Sequence, residues 1–146
     1  MVNVAAVVVT FNRIAKLPTV LDSIRAQTLA VERIIVIDNA STDDTPDVVL
    51  ERAARYPGRV FHLRREKGGE GKAHTLNHGL RRVLSEDWME ALLIMDADVI
   101  YLPDSMRKMT RHLADPEVGS VTAYISEGSL RKNYLTRFIA FEYVLS

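Results

Sequence analysis

The sequence predicts an α/β domain with a mainly parallel sheet covered by helices on both faces. Two observations carry this. Short runs rich in Val, Ile and Leu recur along the chain, and between them the apolar residues take the spacing of a helix. The runs are mostly apolar throughout rather than alternating, as strands buried on both faces require, and strands alternating with helices make βαβ units. A third observation says where function sits. Polar, acidic or glycine-rich residues follow the runs, and parallel sheets bind ligands beyond the carboxyl ends of their strands.

Residues 2–10 (VNVAAVVVT) read as the first strand, followed by Leu17, Val20, Leu21 and Ile24 at i, i+3, i+4 and i+7, one helical stripe. Residues 33–38 (RIIVID) read as the second strand. Ser41, Thr42 and Asp43 then precede a helix with Pro46 in its first turn and Val48, Val49 and Leu50 behind it, so they are expected to act mainly as caps. Residues 59–64 (RVFHLR) give a third strand, and Ala73, Leu76, Leu80, Val83 and Leu84 a third helical stripe. Residues 91–96 (ALLIMD) give a fourth strand. Pro103 opens a segment with Met106, Met109 and Leu113 on one side, and residues 118–125 (VGSVTAYI) are expected as a fifth strand. Leu130, Tyr134, Phe138, Phe141 and Leu145 form a last stripe, with Ile139 and Tyr143 beside it and Arg131, Lys132 and Arg137 among them.

The 146 residues suffice for one domain with a sizeable core. Nineteen basic and nineteen acidic residues cancel, so no global field points to nucleic acid. The absence of cysteine excludes disulfides, thiolate metal sites and cysteine nucleophiles, and fits a reducing compartment. The first residues lack the basic region of a signal peptide, and no stretch approaches the roughly 20 apolar residues of a membrane span. A soluble, cytoplasmic protein is the expectation.

The stretch 67-KGGEGKAHTLNHGL-80 invites a phosphate-binding reading. It is not a P-loop: Glu66 stands where the first glycine belongs, and Ala73 follows Lys72 where Ser or Thr is needed. Nor does a G-x-G-x-x-G follow the first strand. Simpler chemistry survives, in which Gly68, Gly69 and Gly71 allow close backbone approach and Lys72 at a helix start sets an ammonium against a diphosphate. The alternative is a solvated surface loop. Asp96-x-Asp98 is a common tripeptide in a chain with ten aspartates, but it ends a buried strand, where two carboxylates suit Mg²⁺ or Mn²⁺ shared with a substrate diphosphate. Asp38, alone at the end of a hydrophobic strand, can accept hydrogen bonds from a base or ribose, or serve as a cap. His74 and His78 are i, i+4 on a helix, but the pattern of a zinc protease is missing, and solvated or core histidine is the better reading for them, His62 and His112.

Together these residues resemble an inverting family 2 glycosyltransferase of the GT-A fold. The match runs over nearly the whole chain, through V-V-V-T-F-N, I-V-I-D-N-A-S-T-D-D-T, G-K-A-H-T-L-N-H-G and L-I-M-D-A-D in the family's order. The form of the third motif, with F-E-Y at 141–143, resembles the processive or membrane-linked polysaccharide synthases. The resemblance implies a nucleotide-sugar donor, most often a UDP-sugar, a saccharide or lipid acceptor, and a divalent metal, Mg²⁺ or Mn²⁺. Thr10 and Asn12 would line the nucleotide pocket, with Asp38 at the base or ribose. Lys72 would sit near the diphosphate, and Asp96 and Asp98 at the ribose, phosphates and metal.

One departure bears on catalysis. The family carries its general base, an Asp in a T-E-D or E-D motif, after the fifth strand, and processive members add Q-x-x-R-W. The 120s to 140s contain no E-D; Glu127 and Glu142 do not match the motif. The expectation is therefore an incomplete enzyme without its catalytic base. Residues 1–128 form a nucleotide-sugar-binding domain, and 129–146 an amphipathic helix leading to an absent acceptor half. That helix can equally meet a membrane at the cytoplasmic face, a second subunit or its own sheet. Two competing readings are a sugar-phosphate nucleotidyltransferase, which would want a glycine-rich, arginine-bearing loop where Thr10-Phe11-Asn12-Arg13 stands, and a non-catalytic nucleotide-sugar-binding module.

Overall fold

A computed structural model describes residues 2–124. Strands β1 (Val4–Thr10), β2 (Arg33–Asp38), β3 (Val60–Arg64) and β4 (Ala91–Asp96) form one parallel sheet in the order β3-β2-β1-β4. The α/β class and four expected strands are thus found, with β2 and β4 at the expected limits. Helices α1 (Leu17–Arg25), α2 (Thr45–Arg55) and α3 (Gly71–Leu84) connect them; α4 (Ser105–Thr110) and a short 3₁₀ turn, Arg111–Ala114, follow β4.

The sheet is buried on both sides because alternate residues of each apolar strand serve a different helix layer. On one face Val4, Ala6, Val8, Ile34 and Val36 meet Leu17, Val20, Leu21 and Ile24 of α1 and Val49 of α2. On the other, Ala5, Val7, Ile35 and Ile37 meet Val83 of α3, with Leu76 and Trp88 packed beside them. The expected stripe of α1 is buried in full. Each such Leu or Ile contributes about 1.5–3 kcal/mol by leaving water. Proline in the first turns of α1 and α2 supplies the backbone angle a helix start needs without wasting an amide.

Three expectations are corrected. Ser41 and Thr42 do not cap α2: the hydroxyl of Ser41 donates to Asp38, and Thr42 bonds Asn12, so both tie loops at the sheet edge. Asp43 alone stays near the helix start, its Oδ1 accepting the Thr45 amide at 3.0 Å. The buried face of α3 is Thr75, Gly79 and Val83, while Ala73 and Leu84 are exposed. Gly79 is there because α3 lies directly on Ile37; a Cβ at that position would stand 1.8 Å from Ile37 Cδ1. Lastly, residues 118–124 are not a strand. Val118 and Val121 dip into a cleft beside Leu92 and Met106, but Gly119-Ser120 splits the apolar run and leaves it poorly suited to a ladder.

Ile125, Glu127, Glu142, F-E-Y 141–143 and the helix expected over 129–146 lie outside the described residues. Among the described residues no helix is long and apolar enough to cross a membrane.

The sheet order positions the site. The chain moves outward from β1 through β2 to β3, then returns to lay β4 on the other side of β1. The order reverses between β1 and β4, so their carboxyl ends flank a crevice.

Candidate functional site

A cleft of about 260 Å³ opens at this reversal, lined by Thr10, Arg13, Asn39, Lys72, Asp96 and Asp98 among others. Register places the strand ends side by side, with Thr10 opposite Asp38 and Val9 opposite Asp96. The Ala97 amide still donates to Val9 O at 3.2 Å, which keeps β4's exit against β1. Ala97 is buried in the core, and the residues on either side of it, Asp96 and Asp98, both line the cleft.

Lys72 arrives from the opposite wall. The loop before it turns through Gly69 (φ 94°) and Gly71 (φ 82°), a left-handed region that favours glycine. Lys72 Nζ lies 2.5 Å from Asp96 Oδ1, and Arg13 Nε lies 4.0 Å from Asp98 Oδ2. Each acid therefore faces a cation, and all four side chains are roughly half exposed. Pairs this exposed contribute only about 0–1 kcal/mol to stability. Exchanging them for a ligand costs the fold little.

Asp38 behaves differently. It is wholly buried beside the cleft and does not line it. Its Oδ1 accepts the Ser41 amide at 3.1 Å and the Ser41 hydroxyl, while Oδ2 lies 3.7 Å from Arg64 Nε and 3.9 Å from His62 Nε2. Thr10 Oγ1, Asp38 Oδ2 and His62 Nε2 are buried without a hydrogen-bond partner among the described residues. Burial pushes the His62 imidazole below its ordinary pKa, against the opposing pull of Asp38, with Arg64 adding to the lowering. Asn12 is a strut. Its φ of 49° is left-handed, its amide donates to Ser41 Oγ at 3.0 Å, and its Oδ1 accepts the Thr42 amide at 2.8 Å. It borders a neighbouring recess that shares Arg13 and Asp98 with the cleft.

Of the six residues singled out in the sequence, four (Thr10, Lys72, Asp96 and Asp98) therefore share one cleft, and Asp38 and Asn12 stand beside it. Arg13, Asn39 and Arg65 were missed. Arg13 and Asn39 follow strands, which was signal enough to find them. Arg65 is nine-tenths buried and bonded to Asn39, Glu70 and Thr75, which no spacing rule reveals. His74 lies at 3.2 Å from Glu70, His78 is exposed, and no group of three metal-ligating side chains occurs among the described residues.

Comparison with known proteins agrees with the fold. The chain aligns with mannosyltransferase PcManGT from Pyrobaculum calidifontis, solved with GDP-Man and Mn²⁺, at 32% identity and a TM-score of 0.73, covering 86% of this chain and 36% of that one. S. aureus TarS 1–349, at 17% identity and a TM-score of 0.62 over 86% of this chain and 40% of that one, shares the fold. The undecaprenyl-phosphate mannosyltransferase of Micrococcus luteus is 32% identical over 121 residues, 81% of this chain and 48% of that protein. The chain spans 32–38% of the length of three further curated relatives. Residues 5–144 match the profile of Glycosyl transferase family 2. With a parallel sheet in this order and that match over nearly its whole length, the chain belongs to glycosyl transferase family 2.

Proposed function

We propose that this chain is the donor-binding part of a glycosyltransferase, which moves a sugar from a nucleoside diphosphate to a saccharide or lipid acceptor. The observation that carries the proposal is the convergence of Lys72, Asp96, Asp98 and Thr10 on one cleft at the reversal of the sheet. UDP is the carrier the motifs suggest, and GDP is the carrier in the complex of PcManGT. The named relatives are glycosyltransferases, which supports this reading over a nucleotidyltransferase.

In the proposed reaction the acceptor hydroxyl attacks the anomeric carbon in line with the leaving group. The bond from that carbon to the diphosphate oxygen breaks, and the hydroxyl proton passes to a base. Lys72 meets the charge that gathers on the departing diphosphate. The motif assigns Asp38 to the base or ribose; its Oδ2 and the neighbouring Thr10 Oγ1 are buried without a hydrogen-bond partner among the described residues, so the loop over Asp38 must shift for a ligand to reach it. The donor set fits a divalent cation: two carboxylates line the cleft, and a hard ion bound through few protein ligands completes its shell from water and phosphate. Asp96 and Asp98 would hold it, and when bound it supplies charge neutralisation to the diphosphate. Among the described residues only Asp96 and Asp98 bring carboxylates to the cleft, so the base is assigned elsewhere.

The narrower reading, a processive or membrane-linked polysaccharide synthase acting at the cytoplasmic face, rests on G-K-A-H-T-L-N-H-G and F-E-Y 141–143. The division at residue 128, with a helix expected over 129–146, is part of the same sequence-based reading.

Calorimetric titration of the chain with UDP, GDP and their nucleosides, with and without Mn²⁺ or Mg²⁺, tests the donor site. Metal-dependent diphosphate binding that disappears in Asp98→Ala is expected. Absence of nucleotide binding at millimolar concentration would overturn the proposal.

A further inference from the structure

We propose that Arg65 is the positioning residue that holds Lys72 ready for a nucleoside diphosphate. The inference deepens the donor-site reading and rests on it. Arg65 follows β3 directly, and its amide donates to Asp38 O at 2.9 Å, which fixes its backbone to the end of β2. Its side chain is 8% exposed. Nη1 donates to Asn39 Oδ1 and Thr75 Oγ1, each at 3.0 Å, and Nη2 donates to Glu70 Oε2 and lies 3.3 Å from His74 Nδ1. The Thr75 hydroxyl passes the tie on, donating to Gly71 O at 3.1 Å.

Lys72 lies inside this grip. Glu70 precedes α3, and His74 and Thr75 belong to its first turns, so one guanidinium holds the chain on both sides of Lys72. The grip answers a need. Gly69 and Gly71 give the loop its turn but also its freedom, and the N-cap residue of α3, Glu70, makes no side-chain capping bond. A lysine on such a loop would spread its ammonium over many positions, since its long side chain is itself flexible. Arg65 does not line the cleft, so it acts through the loop rather than on the ligand. A stability role alone explains this poorly. Burying a guanidinium carries a desolvation penalty that apolar packing avoids, and here all the side-chain partners lie at the cleft wall or on the segment bearing Lys72.

A double-mutant cycle read by calorimetry tests this, with UDP and GDP as diphosphate probes and uridine and guanosine as controls, in the presence of Mn²⁺. Arg65→Lys keeps the charge but loses the fork. It is expected to weaken the tighter diphosphate by about tenfold and its nucleoside by less than about twofold. In a Lys72→Ala background the same change should weaken the diphosphate by less than about twofold. Equal weakening of nucleoside and diphosphate, or full additivity with Lys72→Ala, would overturn the proposal. If Lys72→Ala itself leaves diphosphate affinity unchanged, the diphosphate role of Lys72 fails and this inference falls with it; if Lys72→Ala weakens binding and Arg65→Lys does not, the inference fails alone. Glu70→Gln, on the half-exposed side of the grip, keeps the test alive should Arg65→Lys not fold. A selective diphosphate loss of a few-fold, with an unchanged melting temperature, supports the proposal, and unchanged affinity refutes it.

Discussion

Lys72 Nζ and Asp96 Oδ1 stand 2.5 Å apart across the reversal of the sheet, joining the first turn of α3 to the exit of β4. The pair brings together residues 24 positions apart in sequence, one from each wall of the cleft. Because it is exposed it does little for stability. In the proposed site the pair is exchanged for ligand, Asp96 going to the metal and Lys72 to a phosphate oxygen. Lys72→Ala should therefore weaken UDP or GDP by about 10–100-fold, the worth of a charge-assisted hydrogen bond. Uridine and guanosine should be nearly unaffected. Titration of all four compounds checks this, and equal weakening of nucleotide and nucleoside would count against a diphosphate role.

Asp98 faces Arg13 at 4.0 Å, too far for a hydrogen bond and too exposed for a strong ion pair. Asp98→Asn should leave thermal stability within about 0.5 kcal/mol of the parent. The same variant should lose the dependence of nucleotide affinity on Mn²⁺. Retention of that dependence would remove Asp98 from the metal site.

Gly79 is a packing prediction. A methyl there would stand 1.8 Å from Ile37 Cδ1 and 2.7 Å from Ile37 Cγ1, so the side chain or α3 must move. Gly79→Ala should destabilise the fold by about 1–3 kcal/mol, as overpacking does. Adding Ile37→Val, which removes Cδ1, should recover part of the loss. Thermal melts of the three variants against the parent decide it, and a Gly79→Ala protein as stable as the parent would show that α3 does not rest on Ile37.

These features were unevenly legible in the sequence. Leu17, Val20, Leu21 and Ile24 are long aliphatics at helical spacing, and all four are buried as the spacing implies. RIIVID and ALLIMD are uninterrupted runs ending in acids, and both give strands with the expected limits. The face of α3 was misread because Thr75 and Gly79 carry no apolar signal; one is buried by its bonds to Arg65 and Gly71, the other by the closeness of Ile37. Residues 118–124 had the composition of a strand, but Gly119-Ser120 interrupts the run. At the cleft, acids and lysine after strands were visible as a pattern. Ser41 holding Asp38 and Arg65 holding the glycine loop were not, because both depend on three-dimensional closure.

His62 supplies a pH prediction. Burial holds its folded pKa below the ordinary 6.5. As pH falls through 6.5 the unfolded chain takes up this proton before the folded one, so stability declines on acidification until the folded imidazole also charges. Above 6.5 both states are neutral and His62 adds no pH dependence. The melting temperature of the parent should fall more steeply below about pH 6.5 than that of His62→Gln. Parallel curves for the two proteins would show that His62 is not held neutral by the fold.

Crystals grown with Mn²⁺ and the tighter-binding nucleoside diphosphate, examined by anomalous scattering, give the most direct view of the cleft. An anomalous peak at the carboxylates of Asp96 and Asp98 is expected, with the diphosphate against it and Lys72 turned from Asp96 toward a phosphate oxygen. A nucleotide bound away from the crevice between β1 and β4, or a manganese peak that touches neither acid, would contradict the donor site placed there.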